Sequence, residues 1–179
     1  MTRAAVEARL TARLELPAVT ADIARAVLDS RLDSLPDGLR TAPSWPTPHT
    51  VDGIRLSWQM PGPDGTGAAP HVDPEPSGGS RLVVLRRTRE VIGDLGWKGG
   101  PGADGVVEIG YGLAAPSHGQ GYGTEAVGAF ADWALGPGGA RTLTAEVLAD
   151  NAASRRLLER LGFALDRVAG AAVWYARSR

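Results

Sequence analysis

The sequence predicts an α+β fold: a mixed, mainly antiparallel central sheet of six to seven strands flanked by about four helices. Three observations carry this. Segments 81–87, 90–98 and 105–114 have β-branched cores with turn residues between them, so they read as consecutive hairpin strands. After them, helical patterns at 123–135 and 151–161 alternate with strands at 141–148 and 163–168, and a last strand occupies 171–176. One strand and two helices precede the hairpins. The order is β, two helices, three strands, α-β-α-β and a final strand, with no internal repeat.

Each element has a local reason. In TARLELPAV (11–19), Leu14 and Leu16 fall on one face of a strand. Thr20 can cap a helix over 21–35, in which Ile23, Val27 and Leu28 recur at helical spacing and Pro36-Asp37-Gly38 is the stop. Pro43, Pro46 and Pro48 mark a loop around Trp45, and 51–59 reads as a short helix with Ile54 and Trp58 one turn apart. Half of the twenty residues at 60–79 are Pro or Gly without hydrophobic period, which predicts a flexible loop inside a single 1–179 domain. Thr88-Arg89 and 99–105 read as hairpin turns. Ala126, Val127, Phe130, Ala131 and Ala134 form the inward face of one late helix. Leu157, Leu158 and Leu161 point inward from the other, which Gly162 ends.

Composition removes several function classes. The 179 residues suit one domain, and with no cysteine there is no disulfide, thiolate metal site or cysteine nucleophile. A net charge of −1 gives no general pull toward nucleic acid or anionic membrane. Charges interrupt the first sixteen residues, and no apolar run reaches membrane-spanning length. The expectation is a soluble, cytoplasmic protein without metal, since no His/Asp/Glu cluster has ligand spacing.

The chemistry-bearing segment is 118–124, His-Gly-Gln-Gly-Tyr-Gly-Thr, between a strand and a helix. A helix N-terminus presents free N–H groups and positive dipole, so an anion sits there readily. Glycines at 119, 121 and 123 let backbone approach that anion and adopt positive φ. The nucleotide P-loop needs Gly-Lys-[Ser/Thr], and no Lys lies here. The dinucleotide fingerprint needs G-x-G-x-x-G, and the spacing here is G-x-G-x-G. A plain strand-to-helix connector accounts for the loop alone about as well.

The flanks change that balance. EIGYGLAAPSHGQGYGTEA, followed by LTAEVLADNAASRRLLERLGF, closely resembles the GNAT superfamily of acyl-CoA N-acyltransferases, and more narrowly its ribosomal-protein alanine acetyltransferase-like branch. That branch pairs a strand carrying E-[IL]-G-Y and a loop [RQ]-G-x-G-x-[GA]-T-E-A with a distal N-x-x-S-x-[RK]-x-[LM]-E-[RK]-x-G-F. The likeness covers about residues 91–163. It implies the GNAT fold, with acetyl-CoA as co-substrate and a primary amine as acceptor, a protein N-terminus or a small molecule. A non-catalytic CoA-binding regulatory domain of the same fold is the alternative. A homodimer is compatible with either.

By resemblance, backbone amides of Gly119, Gln120, Gly121, Tyr122, Gly123 and Thr124 hold the pyrophosphate. The strand end through Leu113, Ala114 and Ala115 pairs with the pantetheine arm, and Asn151 reaches it from the last helix. His118 stands where the family carries Arg or Gln. Neutral His donates one hydrogen bond and lacks a permanent charge, which predicts weaker or pH-sensitive CoA binding. Glu108 is the candidate base for the amine, with the alternative that it merely points outward on an alternating strand. Asn151 and Ser154 also suit a helix cap. Ser154 is the candidate proton donor to the leaving thiolate; in many relatives a Tyr on this helix does so, and nearby positions here hold Leu157 and Leu158. Tyr111 and Tyr122 rank below it. Trp45 and His49 are acceptor-site candidates by their place in the fold. Asp94 and Asp150 read as turn or cap residues, and His71 as a loop residue without chemistry.

Overall fold

The computed structural model describes residues 9–58, 79–98 and 101–179. The predicted loop at 60–79, including His71, lies almost entirely outside them, as does the side chain of Trp58.

Two short strands, β1 (Arg9–Leu10) and β2 (Leu14–Leu16), form the first hairpin. Helix α1 (Ala21–Leu28) follows, with the Thr20 side chain accepting from the Ile23 amide. It is shorter than its sequence pattern. The Arg31 amide bonds Ala26 O at 2.8 Å and the Ser30 amide bonds Val27 O at 3.2 Å, with Ser30 at φ +56°. This is a Schellman stop with serine where glycine usually stands. The remainder of the predicted helix is a 3-10 turn, Leu32–Ser34.

Strand β3 (Arg40–Thr41) lies in a segment whose sequence reads as loop. Helix α2 (Pro48–Trp58) begins three residues before the predicted start. Thr47 and Thr50 cap each other: the Thr50 amide donates to Thr47 Oγ1 at 3.2 Å and the Thr47 amide to Thr50 Oγ1 at 3.1 Å. Pro48 occupies the first helical position, where a missing N–H costs nothing.

Strands β4 (Arg81–Leu85), β5 (Glu90–Lys98) and β6 (Val106–Leu113) form the antiparallel meander, with a bulge at Val83/Val84. Helix α3 (Tyr122–Leu135), β7 (Thr142–Leu148), α4 (Ala152–Arg160), β8 (Ala164–Ala169) and β9 (Ala172–Ser178) complete the chain. Among the described residues the sheet has nine strands, ordered β1-β2-β4-β5-β6-β7-β9-β8, with β3 beside β5. Seven exceed two residues, and β1 and β3 are two-residue additions to the expected sheet. Pairing is antiparallel except β3–β5 and β6–β7.

Side-chain alternation along β5 separates the two faces. Trp97 packs against Phe130 and Trp133 of α3, with ring centroids 5.9 and 5.0 Å away. Asp94 faces the other way, toward Trp45 and α2. Buried Leu82, Val84, Val91, Ile92, Leu95, Val107, Ile109 and Leu143 supply the core of the sheet. Burial at roughly 25 cal/mol per Å² of apolar surface makes this core the rigid frame for the strand ends.

Candidate active site

The site begins with a parting of strands. β6 and β7 run parallel and pair only as Val106↔Thr142, Val107↔Leu143 and Glu108↔Thr144. Beyond Glu108, β6 stays with β5 through Leu113, while β7 stays with β9 through Leu148. A V-shaped gap opens between them. Ala114 donates to Ile92 O at 2.8 Å, which sets the parity of the β5–β6 ladder. In an antiparallel ladder alternate residues face the partner, so Gly110, Gly112 and Ala114 bond β5 and the amides of Tyr111 and Leu113 point into the gap. A cleft of about 480 Å³ runs along it, lined by Ile109 to Gly112 of β6, Glu146 to Leu148 of β7, Asn151 and Ser154, and by α2 on the other side.

The glycine loop closes one end of the V. A 3-10 turn, Ala115–Ser117, leaves β6, and α3 starts at Tyr122 with Gly121 as N-cap at φ +79°. The first α3 amide with a backbone partner is Glu125, bonded to Gly121 O at 3.1 Å. Among the described residues no backbone acceptor takes the amides of Gly119 to Thr124. Six neighbouring donors at the positive end of a 14-residue helix suit an anion.

The loop's three glycines have different reasons. Gly119 and Gly121 hold positive φ, +74° and +79°. Gly123 does not adopt the expected positive φ, and it has a packing reason of its own. A Cβ there would sit 2.9 Å from Leu157 Cδ1, so this glycine lets α4 pack against α3. Gly123→Val is therefore expected to cost about 1–3 kcal/mol by overpacking, read as a lowered Tm. The Leu157→Ala change should recover part of that loss in the double variant.

Around the loop, His118 Nε2 and Leu113 O are 2.9 Å apart, tying the loop to the end of β6. His118 Nδ1 is not part of that bond, and the His118 amide is bonded to Ala115 O. The carbonyls of Leu113 and Ala115 are thus engaged within the chain, while the Leu113 amide faces the gap. Ala114 is fully buried. Gln120 Nε2 donates to Pro116 O at 3.0 Å. A permanent charge arrives from a residue that carries no sequence signal: Arg13, in the β1–β2 turn, donates to Gln120 O at 2.9 Å and stacks over the Tyr122 ring at 4.4 Å. Glu125 anchors it, accepting from the Arg13 amide at 2.9 Å, Arg13 Nε at 2.6 Å and Thr11 Oγ1 at 2.5 Å. Burial works to raise the Glu125 carboxyl, but these bonds outweigh it and hold it below its ordinary value.

The other wall of the V belongs to α4. Asn151 caps it, its side chain accepting from the Ser154 amide at 3.1 Å. Ser154 Oγ lies 2.6 Å from Tyr111 Oη, across the gap from β6. Both side chains line the cleft. Burial lifts the Tyr111 phenol above its ordinary pKa, partly opposed by the Ser154 bond, so it stays protonated through neutral pH. Tyr122 lies instead against Arg13, beside a separate groove.

On the α2 side the structure brings forward Asp94. It is not a turn residue: it sits inside β5, opposite Gly112, and lines the cleft. Trp45 Nε1 donates to its Oδ2 at 2.9 Å and Thr50 Oγ1 at 2.5 Å. Burial raises the Asp94 carboxyl above its ordinary value, opposed by the bonds from Thr50 and Trp45 and by nearby His49. His49 lines the cleft directly, whereas Trp45 is buried behind Asp94. Glu108 is ion-paired with Lys98 and is not among the cleft-lining residues. Asp150 lies in the turn before α4. Among the described residues no group of three or more His, Cys, Asp or Glu side chains is placed to hold a metal ion.

Comparison with known proteins bears on this arrangement. A family model described as "Acetyltransferase (GNAT) domain" matches residues 13–164. An uncharacterised N-acetyltransferase of Bacillus subtilis, YjdG, is 33% identical over 87 residues, 49% of this chain and 52% of that protein. The match thus spans about half the length of that curated relative. An acetyltransferase from Agrobacterium tumefaciens superposes with a TM-score of 0.64 at 24% identity, covering 97% of this chain and 95% of the other. The ribosomal-protein-S5-alanine acetyltransferase of Vibrio fischeri superposes with a TM-score of 0.62 at 16% identity, covering 96% of each chain. At these identities the superpositions speak for the fold, and the family match spans the V, the glycine loop and α4 together. The chain belongs to the GNAT acetyltransferase family.

Proposed function

We propose that this chain transfers an acetyl group from acetyl-CoA to a primary amine by direct attack. The single observation that carries the reading is the alignment of the V with the loop. The gap between β6 and β7 ends at six amides, from Gly119 to Thr124, that no backbone acceptor among the described residues takes. A pyrophosphate on the loop leaves the gap for the pantetheine arm, with the amides of Tyr111 and Leu113 facing it as an added strand would need. Acetyl-CoA supplies an activated thioester. The chain's own residues orient that group, exclude water from the gap and supply protons. In this reading Tyr111 and Ser154, whose hydroxyls meet across the gap, protonate the sulfur that leaves. Asn151 fixes the start of α4, and so fixes Ser154.

The amine enters from the α2 side, where His49 lines the cleft. Glu108, held by Lys98, is better read as shaping the cleft's outer end than as the base. Cleft residues with proton-transfer chemistry favour an enzyme over a CoA-binding regulatory module. A protein N-terminus and a small amine both remain within the acceptor class, since fold and cofactor site do not fix it. Residues 1–179 are taken as one domain, and the lack of cysteine supports a reducing cytoplasmic setting. Among the described residues no helix is long and apolar enough to cross a membrane.

The test is calorimetric titration with acetyl-CoA beside thiol release over a panel of primary amines. Saturable binding with amine-dependent release is expected. Binding without release on any amine would favour the regulatory module, and no binding would remove both readings.

A further inference from the structure

We propose that Asp94 is the base of the transfer: its carboxylate receives the proton of the acceptor's ammonium group at the α2 end of the cleft. This rests on the acetyl-transfer reading above and adds to it the residue that readies the nucleophile.

Asp94, Gly96 and Lys98 point to one face of β5, and their partners on β6 are Gly112, Gly110 and Glu108. Three of these six positions are glycine, so the cleft has a bare floor between Asp94 at one end and the Lys98–Glu108 pair at the other. A Cβ on Gly110 would meet nothing within 4 Å, and one on Gly112 would meet only Thr47 Oγ1, at 4.0 Å. Among the described residues the space above Gly110 and Gly112 is open, while Ser80 covers Gly96. Asp94 and Lys98 are four residues apart, roughly 13 Å at the usual rise of a strand, which leaves room for the amine-bearing end of an acceptor.

The other carboxylates near the cleft are differently placed. Glu108 is occupied by Lys98. Asp52 is solvent-exposed, with Arg55 at 3.8 Å, and Glu146 is exposed on β7. Asp94 is withdrawn from bulk water and oriented by two donors, both of which end on Oδ2. A carboxylate has about four acceptor positions, so a bound ammonium still finds acceptor capacity on it. Its raised pKa makes it a stronger base than an exposed Asp. The ionisable groups lining the cleft are His49 and Asp52 from α2, Lys98 from β5, Glu146 from β7 and, from the opposite face of β6, Tyr111.

The proton balance is closed. An N–H proton passes from the ammonium to Asp94, leaving a neutral amine. The amine lone pair attacks the thioester carbonyl carbon, the C–N bond forms, and the C–S bond breaks with its electron pair leaving on sulfur. The Tyr111–Ser154 hydroxyl pair gives the thiolate its proton. The second proton lost from nitrogen replaces that one, and Asp94 releases its own to water.

The experiment uses the full chain with alaninamide, lysinamide, n-butylamine and spermidine as acceptors, and carries forward the best of them. Asp94→Asn keeps an oxygen that can accept from Trp45 and Thr50 but removes the basic group. Its acetyl-CoA affinity should stay within about twofold, while kcat/KM for the amine at pH 7 should fall about 100-fold, as loss of a general base does. The defect should shrink as pH rises toward the amine's own pKa. Trp45→Phe removes one donor that stabilises the carboxylate, so the acid limb of kcat/KM should move to higher pH. If Asp94→Asn stays within about threefold of wild type with the same acid limb, or if Trp45→Phe leaves the limb in place, the Asp94 assignment is overturned while acetyl transfer stands. If the wild type binds acetyl-CoA and acetylates none of these amines, the reading of the cleft as an amine site falls and takes Asp94 with it.

Discussion

Gly121→Val is expected to weaken acetyl-CoA binding on the order of 100-fold in a calorimetric titration. Sequence reasoning attributes such a loss to a Cβ filling the approach of phosphate. The structure supports the other cause expected of this glycine, its positive φ. Gly121 caps α3 at φ +79°, ψ 0°, a left-handed conformation that side chains disfavour, β-branched ones most. The nearest atom to a Cβ there is Arg13 Nη2 at 3.4 Å, the flexible end of a side chain, so contact alone is tolerable. The backbone conformation is what valine cannot keep. Relaxing it turns the peptide planes around residue 121, and with them donors aimed at the anion. A hydrogen bond to a charged group contributes about 1.5–3 kcal/mol, so two misaimed amides at the lower figure give a loss on the order of 100-fold. Gly121→Asn separates the causes, because Asn tolerates left-handed φ while bearing a Cβ. It should keep affinity within about tenfold of wild type. Equal weakening by Asn and Val would restore the steric account, and undiminished binding by Val would mean that the loop is only a connector.

That revision marks where the sequence is legible and where it is not. The glycine loop, the Asn151 cap and the three meander strands are written in local chemistry: glycine spacing, a short polar cap residue and β-branched runs. They are found where that chemistry places them. The end of α1 is not so written, because Ser30 takes a left-handed stop that sequence signals assign to glycine. Strand β3 exists through parallel pairing with Glu90 and Val91, a long-range contact that two residues cannot announce. Asp94 is the instructive case. The segment reads as a strand, but Gly93 and Gly96 let Asp94 itself read as a turn residue. Those glycines are there for close approach. A Cβ on Gly93 would strike Gly112 O, and one on Gly96 would lie 2.9 Å from the Ser80 Cα. Glycine signals both turns and crowding, and only the sheet register distinguishes them. Arg13 is illegible for the same kind of reason. It reaches the loop across more than a hundred residues, through a partner, Glu125, that local sequence reads as an ordinary first-turn acid.

The proton on the leaving sulfur yields the second large effect. Tyr111→Phe is expected to lower kcat about 30- to 100-fold, toward the lower end of what general acids contribute, because a thiolate leaves more readily than an alkoxide. Acetyl-CoA affinity should change little, since the loop and the Leu113 amide are untouched. Ser154→Ala should cost less, about three- to tenfold, because the phenol still reaches the gap. The two hydroxyls are 2.6 Å apart and either can donate to the other, so their effects should not add. A double variant close to Tyr111→Phe alone would identify one proton path through the pair, with Ser154 orienting the phenol. Strictly additive losses would make them two independent donors. The resemblance implies that many relatives take this proton from a tyrosine on the last helix, where nearby positions here carry Leu157 and Leu158. Leu158 is fully buried and Leu157 packs toward Gly123, so neither position can present a hydroxyl to the gap. On the proposed reading Tyr111 of the facing strand supplies it, and burial keeps its proton on through neutral pH. The kcat of the wild type should therefore show no fall on its alkaline side until above the ordinary tyrosine range of about 10. A basic limb near neutral pH that disappears in Tyr111→Phe would contradict the buried phenol as the acid.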